Sequence, residues 1–330
     1  MRNSFQKILP GFGLAILVAI CAYLLGRLVP VVGGPVFGIS LGILLTSVWK
    51  LPILTGKGLK FTSKYVLQLA VILLGFDMNM ANILVVGRDS LLVLLVTLSV
   101  AFAVAFLAGR YLKVGKKLTA LIGVGTAICG GSAIAAASSA IEADDQDVSY
   151  AISTIFMFNV IAVFLFPLIG HGLHLSDTGF GMWAGTAIND TSSVVAAGYS
   201  YSDAAGSFAT IVKLTRSLMI VPITLALAAV FSSSSTKGGH FSFMKVFPWF
   251  ILGFLAAAVL RSVQLLPAAW MSSLAWTGKF LIIAAMAAIG LNTDVRAFIK
   301  AGPRALVLGA FTWFGVASSS LLIQFLSQRF

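Results

Sequence analysis

Two cations stand close together in an otherwise apolar stretch: Lys213 and Arg216, within ATIVKLTRSL (209–218). Three residues apart, they lie on one face of a helix. If that helix crosses a bilayer, a charge at its centre costs roughly 2.5–3.5 kcal/mol on insertion scales, so two of them need partners. An anionic solute is one partner, and the planar fork of Arg216 suits a sulfate-like oxyanion. Asp190, the carboxylate of GTAINDTSS, is the other, which would make one of the two cations structural. One cation can do each job.

Asp190 belongs to a segment that occurs twice. GTAICGGSAIAAA (125–137) aligns with GTAINDTSSVVAA (185–197) at seven of thirteen positions. Both are crowded with small residues, which let helices approach closely in lipid. The Gly130–Gly131 pair and the run Asn189-Asp190-Thr191 are poor choices for packing alone, because they leave backbone and polar groups in need of partners. Such breaks are tolerated at membrane depth where they line a cavity, and paired interrupted segments point to the binding site of a carrier. The candidate solute site therefore comprises Thr126, Cys129, Gly130, Gly131 and Ser132, then Asn189, Thr191 and Ser192, with Lys213 and Arg216 meeting the charge. Asp190 is the candidate group for coupling to a proton or Na⁺. A cation/proton antiporter is the alternative, with the working weight on Asp190 and on Asp77 and Asp294.

The elements that must hold these residues are membrane helices. The chain has 330 residues, 59% hydrophobic and only 10% charged, too few charges to coat a water-facing surface. Uncharged runs such as 8–26, 28–49, 90–109 and 305–328 have about the 20 residues a helix needs to cross the hydrocarbon. Candidate spans are 8–29, 34–49, 62–80, 89–110, 118–141, 148–170, 179–202, 204–231, 246–263, 272–292 and 303–326. The basic, apolar N-terminus lacks a small-x-small cleavage site and reads as a retained first helix. Cys21 and Cys129 both lie in apolar segments, so no disulfide framework is implied. The net charge of +12 is the ordinary mark of cytoplasmic loops rather than of a nucleic-acid partner.

With the N-terminus inside, the inner loops hold Lys50, Lys57, Lys60, Lys64, Arg110, Lys113, Lys116, Lys117, Lys237, Lys245, Arg296, Lys300 and Arg304. The outer side keeps Arg27, Arg88, Arg261 and Arg329, which places the C-terminus outside. Residues 35–107 also align with 250–322 without a gap at an offset of 215, with matches at Gly38/Gly253, Pro52/Pro267, Lys64/Lys279, Gly75/Gly290 and Gly87/Gly302. An odd number of spans separates the two units, so they should be inverted. Fully spanning GTAI segments would clash with that inversion. Hairpins entering from opposite faces would keep it, and broken helices crossing at the midplane are the other solution.

Other chemistry finds little support. His171 and His174 have no companions at metal spacing, EADDQD (142–147) reads as a solvated loop before a helix, and no Gly-Lys-Ser/Thr follows either GTAI segment. Cys129 has no base near in sequence, so an enzyme is not expected. Asn159 suits interhelical bonding as well as solute contact. Asp77, Asn79, Asn292 and Asp294 end spans and suit caps or interfaces.

At these residues the chain resembles the YeiH-type family of bacterial membrane proteins, to which sulfate export is ascribed. The resemblance rests on GVGTAICGGSAIAA (123–136), FNVIAVFLFPLIG (158–170), WAGTAINDTSSVVAAG (183–198) and ATIVKLTRSL (209–218), and spans nearly the whole chain. It implies an inner-membrane transporter similar to cation/proton antiporter folds, with inverted repeats and interrupted helices. The expectation is thus one all-α polytopic membrane domain over 1–330, of about ten or eleven helical segments, two of them interrupted or re-entrant. It would carry a small anion, sulfate or an organosulfonate, with H⁺ or Na⁺ as coupling ion and no cofactor. A homodimer is compatible with such carriers.

Overall fold

Apolar runs with few internal breaks become long helices in the computed structural model, which describes residues 2–29, 32–49, 51–232, 247–294 and 302–327. Of the basic loop positions named above, Lys50, Lys237, Lys245, Arg296, Lys300 and Arg329 lie outside the described residues. The helices are α1 (Arg2–Leu28), α2 (Gly34–Val48), α3 (Gly56–Phe61), α4 (Leu67–Leu74), α5 (Met80–Tyr111), α6 (Lys116–Ala127), α7 (Gly131–Ala140) and α8 (Asp145–Gly172). They continue as α9 (Asp177–Ala187), α10 (Thr191–Tyr201), α11 (Asp203–Ser217), α12 (Ile220–Ser232), α13 (Phe250–Ser262), α14 (Ala268–Asn292) and α15 (Pro303–Leu326). A π-turn over Thr62–Val66 joins α3 to α4. The expected span 204–231 is divided, at Leu218 and Met219, into α11 and α12.

Helix ends follow side-chain chemistry. Asn79 accepts from the Ala81 N–H at the start of α5, Ser176 from Gly179 at α9 and Ser202 from Ala205 at α11. Pro35 and Pro303 sit in the first turns of α2 and α15, where a missing N–H costs nothing. Seven helical stretches among the described residues are long and apolar enough to cross a membrane. Large apolar side chains such as Leu17, Phe106 and Phe314 stand on the outside of the molecule, where lipid rather than water must meet them. The chain is an all-α, multi-pass membrane protein.

Two bundles result. Helices α1–α4, α13 and α14 pack mainly on one another, and α5–α12 with α15 do likewise. The 215-residue offset reappears in the first bundle as contacts made twice. Gly290 of α14 lies against Ile39 and Gly42 of α2, and Gly75, just past α4, lies against Phe254 and Ala257 of α13. Gly38 of α2 abuts Ala287 of α14, and Gly253 of α13 abuts Ile72 of α4. Each pair is the other shifted by the same offset. At Gly38, Gly75 and Gly290 the glycine lets backbone meet backbone, and at Gly253 it makes room for the Ile72 side chain.

Both GTAI segments are helical hairpins, not the spans expected over 118–141 and 179–202. Helices α6, α7, α9 and α10 have 12, 10, 11 and 11 residues, about 15–18 Å each and too short to cross hydrocarbon. At the base of the first hairpin the Lys117 ammonium donates to the Glu142 carbonyl at 2.5 Å. At the base of the second, Tyr201 donates to the Leu175 carbonyl at 2.5 Å and Ser202 to Asp177 at 2.6 Å. Were either segment one continuous helix, its ends would be about 37 Å apart.

The first hairpin turns on Gly130, whose φ is +69° and ψ −127°, a conformation that a side chain resists. Gly130→Ala should cost about 1–3 kcal/mol, read as a lower melting temperature of the detergent-solubilised protein. Gly131→Ala, where a Cβ meets nothing within 4 Å, should melt like the wild type.

Candidate functional site

The two hairpins meet tip to tip. A Cβ on Gly130 would lie 3.7 Å from the Asp190 side chain and 3.6 Å from the Asn159 amide. Four half-helix ends therefore converge in one place: the C-termini of α6 and α9, and the N-termini of α7 and α10. Each C-terminus presents carbonyls without intrahelical partners and carries partial negative charge. In the interior of a membrane protein those carbonyls must be met by donors.

Lys213 and Arg216 meet them. The Lys213 ammonium donates to the carbonyls of Ile128 at 2.7 Å, Ile188 at 3.0 Å and Asn189. The Arg216 guanidinium donates through Nε to Ala127 at 2.7 Å, and through its two Nη groups to Thr126, Thr186 and Ile188. One helix face thus pins both half-helix C-termini, and its i, i+3 spacing matches the two breaks lying side by side. At 0% and 1% exposure, neither cation reaches an open space. No ion pair joins either of them to Asp190 among the described residues. In the structure the donors of both cations go to backbone carbonyls rather than to Asp190.

The N-termini are treated differently. Asp190 caps α10, its carboxylate accepting from the Ser192 N–H at 3.0 Å and from the Ser192 hydroxyl. The Asp190 N–H in turn donates to Oδ1 of Asn159 on α8, at 3.2 Å. The residue aligned with Asp190 in the first hairpin is Gly130, and α7 has no side-chain cap. Its first-turn N–H groups stand at the positive end of the helix.

Two cavities reach this point from between the bundles. The larger, about 670 Å³, runs from Lys64, Gln68 and Ser139 to Cys129, Ser132 and Asp190. Ser132 and Ser139 are about 10 Å apart along α7, which measures the cavity's depth. The smaller, about 450 Å³, has Lys60 and Asn292 on one wall and Gly131, Ser132, Asn159, Asp190 and Ser192 on the other. Ser132 and Asp190 line both.

Six of the residues singled out in sequence thus share cavity walls: Cys129, Gly131, Ser132, Asp190, Thr191 and Ser192. Thr126, Gly130, Asn189, Lys213 and Arg216 form the frame behind them. Thr126 and Asn189 are fully buried, and among the described residues the Thr126 hydroxyl and both ends of the Asn189 amide have no hydrogen-bond partner. Lys64, Gln68, Ser139 and Ser217 were not singled out, although they line the larger cavity. The exact match of Lys64 with Lys279 was the available signal for the first of them.

Known relatives match the chain over nearly its whole length. The family model described as "Conserved hypothetical protein 698" matches residues 10–309. A UPF0324 membrane protein of Streptococcus agalactiae serotype V is 42% identical, with 97% of this chain and 98% of the relative covered. One from Streptococcus pyogenes serotype M6 is 45% identical, with 98% of each covered. One from Clostridium tetani is 41% identical, with 93% and 94% covered. No solved structure matches. The family match takes in both hairpins and the helix that pins them, and the resemblance carried by those motifs holds: the chain belongs to the UPF0324 family of membrane proteins.

Proposed function

We propose that the protein is a secondary carrier of a small anion in the bacterial inner membrane, with its N-terminus cytoplasmic and its C-terminus outside. Sulfate or an organosulfonate is the solute class and Asp190 the coupling group. The observation that carries this reading is a cavity ending at an uncapped helix N-terminus whose counterpart in the second hairpin is capped by a carboxylate. An oxyanion at Ser132 takes, on α7, the place that Asp190's carboxylate takes on α10. Lys64 at the cavity wall attracts the anion, while Lys213 and Arg216 hold the hairpin tips in position. A solute anion beside Asp190 is a second negative charge in a site of low dielectric, so a proton entering with it relieves the repulsion. In this reading each hairpin dips into the membrane from one face, the repeats are inverted, and one bundle moves against the other.

The test is uptake of radiolabelled sulfate into proteoliposomes, with sulfite, thiosulfate and taurine as competitors, under a pH or a Na⁺ gradient. Saturable uptake is expected. Lys64→Gln should raise the half-saturation concentration about two- to tenfold and leave the maximal rate near wild type, as loss of a partly screened attraction does. No uptake by folded protein under either gradient would remove the sulfate assignment.

The second reading, a cation/proton antiporter, is favoured by one fact: among the described residues, Asp190 is the only carboxylate on the walls of the two cavities.

A further inference from the structure

The duplications allow the two faces of the protein to be compared residue by residue. On the open face, Lys64 and Pro248 of the first bundle and Ser139 of α7 line the larger cavity. Shifting 64 and 248 by 215, and 139 by 60, gives Lys279, Gly33 and Tyr199. These three line neither of the two cavities described above. They make contacts across the two bundles.

Lys279 of α14 bridges two carboxylates, Asp77 at 3.3 Å and Asp203 at 3.0 Å. Asp77 follows α4 in its own bundle, whereas Asp203 opens α11 in the other. The same ammonium sits 5.6 Å from the centre of the Tyr199 ring on α10. Beside it, Gly33 is pressed so closely on Ser200 that a Cβ there would lie 2.8 Å from the Ser200 Cα. One face is thus parted and its counterpart is shut.

Behind the shut face stands Asn189. It aligns with Cys129, which lies on the wall of the open cavity, yet Asn189 has no exposed surface and its carboxamide has no partner among the described residues. A buried polar group left without a hydrogen bond is costly, and in a carrier the natural relief is a second arrangement in which it meets water or solute.

We propose that Asp77, Lys279 and Asp203, with the Gly33–Ser200 contact, are the latch of a second mouth, and that Asn189 is the solute-contacting group that the latch hides. This rests on the carrier reading above. With the latch closed, solute reaches Cys129, Ser132 and Asp190 from the Lys64 face. With it open, Lys279 parts from Asp203, Asn189 becomes the wall of a cavity on the opposite face, and the Lys64 face closes. Asp77 has no carboxylate counterpart on the Lys64 face, since Asn292 aligns with it, so Lys64 lacks one of the two ion-pair partners that Lys279 has. The latch therefore biases the resting protein toward the state described.

The test is thiol accessibility in right-side-out and inside-out vesicles, read with a membrane-impermeant maleimide and no solute present. Native Cys129, in a Cys21→Ser background, should react from the Lys64 face only. Asn189→Cys, in a background also carrying Cys129→Ser, should be nearly inert from both faces. Adding Lys279→Gln, or Asp203→Asn as an independent variant, should raise its labelling about tenfold from the opposite face. The same latch variants should slow Cys129 labelling. Unchanged labelling of Asn189→Cys in both variants, with folding verified by gel filtration and melting, would overturn the latch. Labelling from the same face as Cys129 would overturn the second mouth. Because no transport is measured, a wild type that carries no sulfate leaves this result readable, and a negative labelling result leaves sulfate uptake to be judged by itself.

Discussion

Arg216→Gln should lower the stability of the protein by about 3–5 kcal/mol, the usual cost of breaking up a buried, hydrogen-bonded charge. The guanidinium donates to four backbone carbonyls on two different half-helices. Without it, the C-terminal ends of α6 and α9 face each other with orphan acceptors and aligned negative dipole ends. Glutamine is too short and has too few donors to replace the fork. The expected result is a melting temperature many degrees below wild type in detergent, with transport lost along with it. Arg216→Lys keeps the charge and should fall between the two. If Arg216→Gln melts like the wild type and loses sulfate affinity alone, the guanidinium serves the solute and its role as a pin is wrong. Lys213→Met should behave like Arg216→Gln, since its ammonium closes the same two ends one turn away on the same helix face.

Asp190→Asn separates the two functional readings. Asparagine is as good a helix N-cap as aspartate, so α10 and the hairpin tip should survive and the melting temperature should change little. In an anion carrier coupled through this carboxylate, the variant should still exchange labelled for unlabelled sulfate across the membrane. It should no longer accumulate sulfate when driven by a pH gradient, a loss of at least about tenfold in the driven rate. In a cation/proton antiporter the same change removes the ion site itself, so exchange and driven flux vanish together. Measuring exchange and driven uptake on one preparation distinguishes the outcomes. Wild-type driven uptake in Asp190→Asn would remove Asp190 from coupling in both readings.

Much of the architecture was legible beforehand because lipid imposes simple rules. Uncharged runs of about 20 residues had to be helices, and the proposed spans 34–49, 148–170, 246–263, 272–292 and 303–326 became single helices within a few residues of their expected ends. The glycines matched at the 215-residue offset, Gly38 with Gly253 and Gly75 with Gly290, all lie where two helices press together. The breaks at Gly130 and at Asp190 were visible too: a Gly-Gly pair and a good N-cap residue are what end one helix and start the next.

What the chain's own order of residues settled, then, is a polytopic helical membrane protein with two interrupted segments and a small set of polar residues beside them. Those features are local, set by hydropathy, by caps and by backbone freedom within a few residues. Only the tertiary structure decided that each GTAI segment is a hairpin, because base contacts such as Lys117 with Glu142 and Ser202 with Asp177 join residues 25 apart that local pattern cannot bring together. It decided as well which partner the buried cations take. Charge alone pointed Lys213 and Arg216 toward an anion, yet two helix C-termini meeting in a dry interior supply carbonyls that satisfy the same donors. The partner of a buried charge is fixed by which helix ends share its space, and that depends on how the whole chain packs.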